Sequence, residues 1–392
     1  MIQQLLKNPV VHDLLIMTAY AVGILIGILL TVLIMILVLR KFLGDIQNRI
    51  GPNRVGPRGY FQTVADALKL LLKEDVIPTL ADRLAFILSP SIVFLPAYLV
   101  YVVIPFGPGL VAADLNVGIL YISAITSVAV IGFITAGWAS NNKYALLGGM
   151  RSAAQIVSYE VPLVLAMIAP VVLAGSLRLG DIIHQQSAVW YLFITPVMAL
   201  CYLTAGLAEV NLTPFDMVEA ESELVAGFNT EYSGMKFALF FLAEFANTFT
   251  ISIICVSLYL GGWTLPIPSF NGWMESAGAL GKLAAFIVIM AKTWGVVFFT
   301  MWIRGTLPRV RVDQLMELGW KVLIPVTMIG VVVNSMTVAL PMSHNAQLGV
   351  LAAVNWIGLI GLLLIGMKKV VPTGTQSAKE MASAAVPQRS RV

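Results

Sequence analysis

The stretch LLIMTAYAVGILIGILLTVLIMILVLRK, residues 14 to 41, decides the fold class of this chain. Residues 14 to 39 carry no charged side chain, and two basic residues, Arg40 and Lys41, follow them directly. About 20 consecutive apolar residues are enough for an α-helix to cross the hydrocarbon core of a bilayer. The stretch is therefore predicted to be a transmembrane helix with a basic end.

The rest of the chain repeats this pattern. Of its 392 residues, 59% are hydrophobic and 11% are charged, against roughly 25% charged in soluble domains. A membrane β-barrel would alternate apolar and polar residues with a period of two, and these runs do not. We therefore predict an all-α polytopic membrane protein with about nine spans, at 14–39, 84–105, 116–138, 155–177, 189–208, 237–260, 279–303, 320–340 and 347–367.

Lys and Arg are distributed unevenly between the loops. The loops after spans 1, 3 and 7 and the C-terminal tail are basic, whereas those after spans 2, 6 and 8 contain no basic residue. The positive-inside rule then predicts an N-terminus outside and a C-terminus in the cytoplasm. We expect a single transmembrane domain over residues 1–371 and, because residues 372–392 are small, polar and basic, a disordered cytoplasmic tail.

Cysteine and histidine exclude several kinds of redox site. The two cysteines, Cys201 and Cys255, lie inside apolar runs without metal-ligand spacing, so this chain alone cannot hold an iron-sulfur cluster. The three histidines fall at or beyond the ends of the spans, so no pair can clamp a haem inside the bilayer. We expect the cysteines to be packing residues and the chain to bind no metal or cofactor.

Residues 60–73, YFQTVADALKLLLK, have helical periodicity with one apolar stripe. Fourteen residues extend only about 21 Å as a helix, too short to cross. This segment is predicted to lie along the cytoplasmic interface. It is either an ordinary surface helix packed on the bundle or a lip where a lipid-like molecule enters sideways. The apolar stripe consists of Phe61, Val64, Ala65, Leu68, Leu71 and Leu72.

Among the ionisable side chains within or at the ends of the predicted spans, four stand out: Glu160, Glu209, Glu244 and Lys292. Such groups are costly in a membrane and are commonly functional. The three glutamates are predicted in the cytoplasmic half and Lys292 near the midplane. Since the outer half has almost no titratable group, the chain supplies at most half of a proton path. The groups are either satisfied pairs that hold helices together or members of a proton relay.

Residues 209–232, EVNLTPFDMVEAESELVAGFNTEY, carry six carboxylates and no Lys or Arg. On the predicted cytoplasmic face, such a loop either docks on a basic partner or lines a site. Carboxylates this close cannot all ionise, so they titrate together.

Four long segments carry a family resemblance. They are IQNRIGPNRVGPRGYFQTVADALKLLLKED at 46–75, AGWASNNKYALLGGMRSAAQIVSYEV at 136–161, LAEVNLTPFDMVEAESELVAGFNTEYSGMKFALFFLAEFAN at 207–247, and TLPRVRVDQLMELGWK at 306–321. In this order and spacing they closely resemble the H subunit of bacterial proton-translocating NADH:quinone oxidoreductase, or respiratory complex I, over about residues 14 to 340. The closest alternative is the homologous anchor subunit of a membrane-bound hydrogenase or related dehydrogenase.

The resemblance implies a role in quinone chemistry. Members of the family sit in the bacterial inner membrane, anchor the hydrophilic arm and form the membrane side of the quinone chamber. They carry no catalytic residue or redox cofactor of their own, because FMN and the iron-sulfur clusters belong to partner subunits and quinone is the substrate. By motif, Glu160, Glu209 and Glu244 resemble the glutamates of the proton path. The chamber and its entrance are expected to include Arg40, Asp66, Asp216, Glu219, Glu221 and Glu223.

Three positions depart from the family pattern. Leu39 stands where the family usually has Glu, Leu212 where it has Arg, and Val312 where it has Tyr. Losing a Glu and an Arg together suggests that a cavity ion pair has been replaced by two leucines, which need not be destabilising. A self-sufficient ion transporter and a purely structural anchor are the other functions considered; the missing outer half-path argues against the first and the intramembrane glutamates against the second.

Overall fold

The computed structural model describes residues 9–217, 225–341 and 343–370, and these parts of the chain form helices and connecting loops without a β-strand. The α-helices are α1 Pro9–Ile46, α2 Gln62–Leu72, α3 Arg83–Leu99, α4 Gly118–Thr126, α5 Val128–Ala139, α6 Lys143–Ala174, α7 Leu179–Gln185, α8 Tyr191–Ile194, α9 Pro196–Glu209, α10 Gly234–Tyr259, α11 Pro268–Ser276, α12 Gly278–Thr306, α13 Val312–Glu317, α14 Ile324–Ala339 and α15 His344–Val370.

The all-α membrane architecture is confirmed. Eight helical segments in the described residues are long and apolar enough to cross a bilayer, formed by α1, α3, α4 with α5, α6, α10, α12, α13 with α14, and α15. A six-residue π-helical turn, Leu318–Leu323, joins α13 to α14. The buried Cys201 and Cys255 belong to the hydrophobic core, as expected of packing residues.

The fifth predicted span differs from a single crossing helix. Its run, 189–208, is divided into α8 and the shorter apolar helix α9. The division falls at Thr195, which has φ −127° and ψ 61°, immediately before Pro196. A proline disfavours the α conformation of the preceding residue and lacks the N–H that would continue the helix. The apolar run is thus long enough to cross, but its backbone is not one helix.

The helix that forms the fourth predicted span begins earlier than predicted. Helix α6 starts at Lys143 rather than near residue 155, about three turns sooner. The Asn142 side chain accepts a hydrogen bond from the Tyr144 backbone N–H at 2.9 Å and caps the helix. The left-handed Gly175, with φ 63°, ends it. Glu160 consequently lies near the middle of α6, not close to its start.

Three buried tyrosines tie the central helices together. Tyr159 donates to the Leu315 carbonyl at 2.7 Å, Tyr202 to the Ile251 carbonyl at 3.1 Å, and Tyr259 to the Ala166 carbonyl at 2.7 Å. A hydroxyl removed from water needs such a partner. These bonds join α6, α9 and α10 to their neighbours. Helix α10 is the most buried of the eight segments and α15 the least.

The predicted interfacial helix is present as α2. With 11 residues it is about 16 Å long and too short to cross the hydrocarbon. Its apolar residues Leu68, Leu71 and Leu72 are exposed, whereas Thr63 on the opposite side is buried. This helix therefore presents an unpartnered apolar stripe while its polar side packs on the bundle.

Candidate functional site

A cavity of about 60 Å³ lies among α3, α5, α6, α9 and α10. Both Glu209 and Glu244 line it, together with Asn211, Asn229 and Asn247. Its volume exceeds the 10–15 Å³ or so that one water molecule requires, and polar side chains can anchor such waters. Two of the predicted proton-path carboxylates thus share one hydratable space.

Glu209 is the last residue of α9 and is partly buried, and its Oε2 atom is inaccessible to solvent. Its Oε2 atom makes no hydrogen bond with the described part of the chain, and neither does Oδ1 of Asn211 two residues later. Buried polar atoms normally have a partner, and a carboxylate oxygen without one is costly. Both atoms therefore require a hydrogen-bond donor, which water in the cavity that their residues line can supply.

Glu160 completes the predicted trio. It projects from α6, half buried, and its carboxylate is close enough for its charge to act on that of Glu209. The structure thus brings all three glutamates to one region, although they come from three separate helices. Each was predicted at a similar depth from the cytoplasmic side, and that common depth is what made their convergence predictable.

Glu244 has a basic partner that the sequence reasoning missed. Its Oε1 lies 3.7 Å from the Arg304 guanidinium, which reaches across from α12 and also lies 6.0 Å from the Phe245 ring centroid. The two charged side chains are 17% and 24% exposed, so the pair is largely shielded from solvent. No local sequence pattern links the residues, because the contact joins helices that are far apart along the chain.

Lys292 does not join the carboxylates. Its ammonium donates to the carbonyls of Leu260, Gly262 and Thr264 at 2.7, 2.9 and 2.6 Å, and lies 4.6 Å from the ring centroid of Trp190. These carbonyls follow the C-terminal end of α10, where a positive charge is favourable. In this position Lys292 fastens α12 to the end of α10.

The acidic loop has two stems, the segments on either side of residues 218–224. In the first stem, Asp216 pairs with Arg309 at 2.9 Å, and the Val310 N–H donates to the Pro214 carbonyl at 3.0 Å. The Gln155 side-chain amide donates to the carbonyls of Ala208 and Phe215 at 2.8 and 2.9 Å. Helix α6 and the loop after α12 therefore hold this stem.

The second stem is anchored as firmly. Oε1 of Glu231 accepts from the Asn142 amide at 2.7 Å, and the Tyr232 hydroxyl is 2.7 Å from that of Ser89. Burial raises the pKa of Tyr232 to about 12, so it stays protonated. A side chain at Gly148 would come within 2.5 Å of the Gly227 Cα, which explains the glycine there. Between the stems, Glu219, Glu221 and Glu223 lie outside the described residues.

The predicted entrance residues Arg40 and Asp66 form a salt bridge between the end of α1 and α2. Gln62 also donates to Asp66 at 3.2 Å, and the Lys41 ammonium lies 3.8 Å from the ring centroid of Tyr60. These contacts hold α2 against the basic end of α1. The exposed apolar stripe of α2 is therefore fixed beside this charged pair.

Comparison with known proteins identifies the family. The NADH dehydrogenase family model matches residues 19–335. The H subunit of NADH-quinone oxidoreductase from Anoxybacillus flavithermus is 49% identical over 338 residues, covering 86% of this chain and 98% of the relative. The chain belongs to this family. The H subunits from Dehalococcoides mccartyi, 45% identical over 83% of this chain and 87% of the relative, and from Bacillus cereus, 50% identical over 76% and 86%, are similar as well.

Two of the departures from the family pattern meet in space. Leu39 and Leu212, respectively 7% and 4% exposed, line one small cavity of about 10 Å³. Arg304 forms another part of its wall. The third departure, Val312, begins α13 and packs, partly buried, against the main core. The two leucines thus occupy one apolar site next to the basic partner of Glu244.

Proposed function

We propose that this chain forms part of the quinone chamber of a proton-translocating NADH:quinone oxidoreductase and passes protons through the cavity between Glu209 and Glu244. The observation that carries the proposal is the convergence of these two carboxylates, with Glu160 beside them, on one space that can hold water. Quinone is the substrate. FMN and iron-sulfur clusters in partner subunits supply the electrons, and this chain contributes no redox group.

Proton transfer in this proposal runs along carboxylates and water. Glu209 lines the cavity and has a buried oxygen without a hydrogen bond to the described part of the chain, so its protonation follows the charges around it. One of those charges is on Glu160. Neighbouring carboxylates that interact this way titrate as a group. A proton that enters at one glutamate therefore changes the proton affinity of the next, which is the property that a relay requires.

Glu244 connects the relay to helix position. It faces the cavity and is also the ion-pair partner of Arg304. Protonation of Glu244 removes the charge that attracts Arg304 and weakens the contact between α10 and α12. Proton occupancy in the cavity is thereby coupled to the packing of two helices. Lys292, which caps the end of α10, is assigned a structural role.

The acidic loop links this path to the chamber. We infer that Asp216, Glu219, Glu221 and Glu223 border the quinone and that Arg40 and Asp66 flank its entrance. The first stem contacts α6 through Gln155, five residues before Glu160. A displacement of the loop on quinone reduction is thus transmitted to the helix that carries one relay carboxylate, shifting populations between two arrangements.

The uneven distribution of basic residues orients the chain in the bacterial inner membrane. We propose that the loops at 40–83, 139–154, 209–236 and 304–320 face the cytoplasm, with the N-terminus on the opposite side. They then meet the quinone-site subunits of the hydrophilic arm, while the spans contact lipid and other membrane-arm subunits. The chain accordingly serves as the anchor between the two arms.

The test uses the complex purified through a tag on this chain. NADH oxidation with added quinone should be sensitive to a quinone-site inhibitor, and many subunits should co-purify. After reconstitution in vesicles, Glu209→Gln is expected to retain assembly and to lower the number of protons pumped per NADH. Asp181→Asn, which lies in α7 and does not line this cavity, is the control and should pump normally.

Two results would contradict the proposal. Oxidation of a donor other than NADH by the assembled complex would indicate that the chain belongs to a hydrogenase-like assembly. Normal pumping by an assembled Glu209→Gln complex would remove the cavity from the proton path, and it would leave the role in quinone reduction intact.

A further inference from the structure

A second, much larger cavity lies along the N-terminal half of α1, away from its basic end at Arg40. It has a volume of about 640 Å³ and is bordered by α1, α10, α12 and the segment that follows α3. Its walls are apolar and largely aromatic, and they include Tyr101, Phe106, Phe249, Phe286, Met290 and Trp294. Ligand pockets typically range from about 300 to 1,000 Å³ and have walls of this composition.

This cavity is separate from the site described above. Along α1 it extends from Ile16 to Thr31, and Thr31 is about 13 Å from Arg40 along the helix axis. None of the predicted quinone or proton-path residues lines it. It therefore lies along the N-terminal half of α1, away from the basic end of that helix.

Two glycines of α1 create the open wall. Gly23 and Gly27 both line the cavity one turn apart, and a Cβ atom added to either would meet no atom within 4 Å. Their small size leaves the groove unfilled, although longer side chains would fit. Helix α1 is also the most apolar of the candidate spans and is mostly unburied. The groove therefore opens sideways toward the hydrocarbon of the bilayer.

The length and lining of the cavity indicate its occupant. Along α1 it extends from Ile16 to Thr31, about 22 Å. An extended hydrocarbon chain of a lipid matches an apolar groove of this length.

A basic residue stands where a lipid headgroup would lie. Lys282 precedes the lining residue Phe286 by one turn of α12, and its ammonium is 3.8 Å from where a Cβ of Gly109 would be. Gly109 itself lies three residues after the lining residue Phe106. Lys282 is exposed, and no carboxylate in the described part of the chain pairs with it. This charge, one turn of α12 from the lining residue Phe286, is thus available to an anion.

We infer that this cavity binds one acyl chain of an anionic phospholipid, whose phosphate group lies on Lys282. The apolar groove and the ammonium one helical turn beyond its lining residue Phe286 match the two parts of that molecule. A lysine near the membrane surface favours an anionic lipid by about 1 kcal/mol, which corresponds to about fivefold in occupancy. The lipid fills the space between α1 and α12 and so holds α1 against the bundle.

The experiment uses the assembled complex in nanodiscs made of equal parts phosphatidylglycerol and phosphatidylcholine. One lipid at a time carries a photoreactive group in its acyl chain, and cross-linked peptides are identified by mass spectrometry. The phosphatidylglycerol probe should label peptides from 16–31 and 286–294. Gly27→Leu, which fills the groove, should abolish this labelling. Gly295→Leu, a lipid-exposed glycine of α12 outside the cavity, is the matched control and should retain it.

The headgroup is tested separately. Lys282→Gln should reduce the preference for phosphatidylglycerol about fivefold, and Lys282→Arg should preserve it. Undiminished labelling in Gly27→Leu, or equal labelling by both lipids in the unmodified complex, would overturn the inference. So would displacement of the lipid probe by a long-chain quinone. If the Gly27→Leu complex fails to assemble, Gly23→Leu and the two Lys282 variants still test whether the cavity binds the lipid.

Discussion

The small cavity shared by Leu39 and Leu212 offers a quantitative test of the missing ion pair. Replacing Leu212 by Arg would place a guanidinium in a space of about 10 Å³ that already has Arg304 in its wall. The new side chain would have no carboxylate of its own, because Glu244 is already the partner of Arg304. It would also be larger than the buried leucine that it replaces.

The unpaired buried charge and the larger side chain are both strongly destabilising. A buried charge without a partner costs about 3–5 kcal/mol, and overpacking adds about 1–3 kcal/mol. Leu39→Glu should destabilise the protein less, since the Arg304 guanidinium can donate to the new carboxylate. That carboxylate should, however, compete with Glu244 for the guanidinium. The double variant contains both members of a pair. Because exchanging apolar residues for a buried ion pair typically costs about 1–4 kcal/mol, the double variant should be more stable than Leu212→Arg alone.

The assay is a double-mutant cycle on the purified complex. Thermal inactivation midpoints report stability, and inhibitor-sensitive NADH:quinone activity reports the state of the proposed chamber. Leu212→Arg should lose the most in both, and adding Leu39→Glu should recover part of the loss, with a coupling on the order of 3 kcal/mol. Equal losses in Leu212→Arg and the double variant would show that the two leucines do not replace a pair.

Three further predictions concern the other charged contacts. Lys292→Met should lower stability by about 3 kcal/mol, because three carbonyls lose a charged donor, while protons pumped per NADH stay unchanged; thermal inactivation and vesicle pumping measure the two effects. Asp216→Asn should cost about 1 kcal/mol or less and loosen the first stem, so protease cleavage within the acidic loop should accelerate; unchanged cleavage would refute a role for the Arg309 contact. Hydrogen bonding from Arg178 lowers the pKa of Asp114, so this contact contributes stability above the ordinary carboxyl pKa and loses it as the pH falls through the lowered value. The protection of the 103–117 loop against hydrogen exchange, relative to the intrinsic rate at each pH, should therefore fall in acid, and Asp114→Asn should abolish that dependence.

The fold was largely predictable because the membrane restricts the choices. Charge-free runs identified the spans, since a buried backbone in lipid has to be helical. The errors came from local backbone chemistry. Pro196 divides an apolar run that hydropathy treats as continuous, and the Asn142 cap lets α6 start among polar residues that hydropathy excludes. Counting apolar residues detects neither a proline break nor a cap.

The candidate site was predictable only where depth in the membrane was informative. Glu160, Glu209 and Glu244 converge because helices that cross together bring residues of similar depth side by side. Lys292 is directed elsewhere because the carbonyls at the end of α10 offer it three acceptors. The contact of Arg304 with Glu244 depends on the packing of α12 against α10, which the sequence does not specify locally.

The two stems of the acidic loop have one helix in common. Gln155 holds the first stem, Asn142 holds the second, and Gly148 lets the second approach closely, and all three residues belong to α6 or its cap. Glu160 lies on that same helix, next to Glu209. The loop therefore cannot shift as a whole without either moving α6 or breaking these contacts. Under the proposed function, a change of charge at the quinone would reach the proton path through the displacement of one helix, without requiring a continuous row of charges between them.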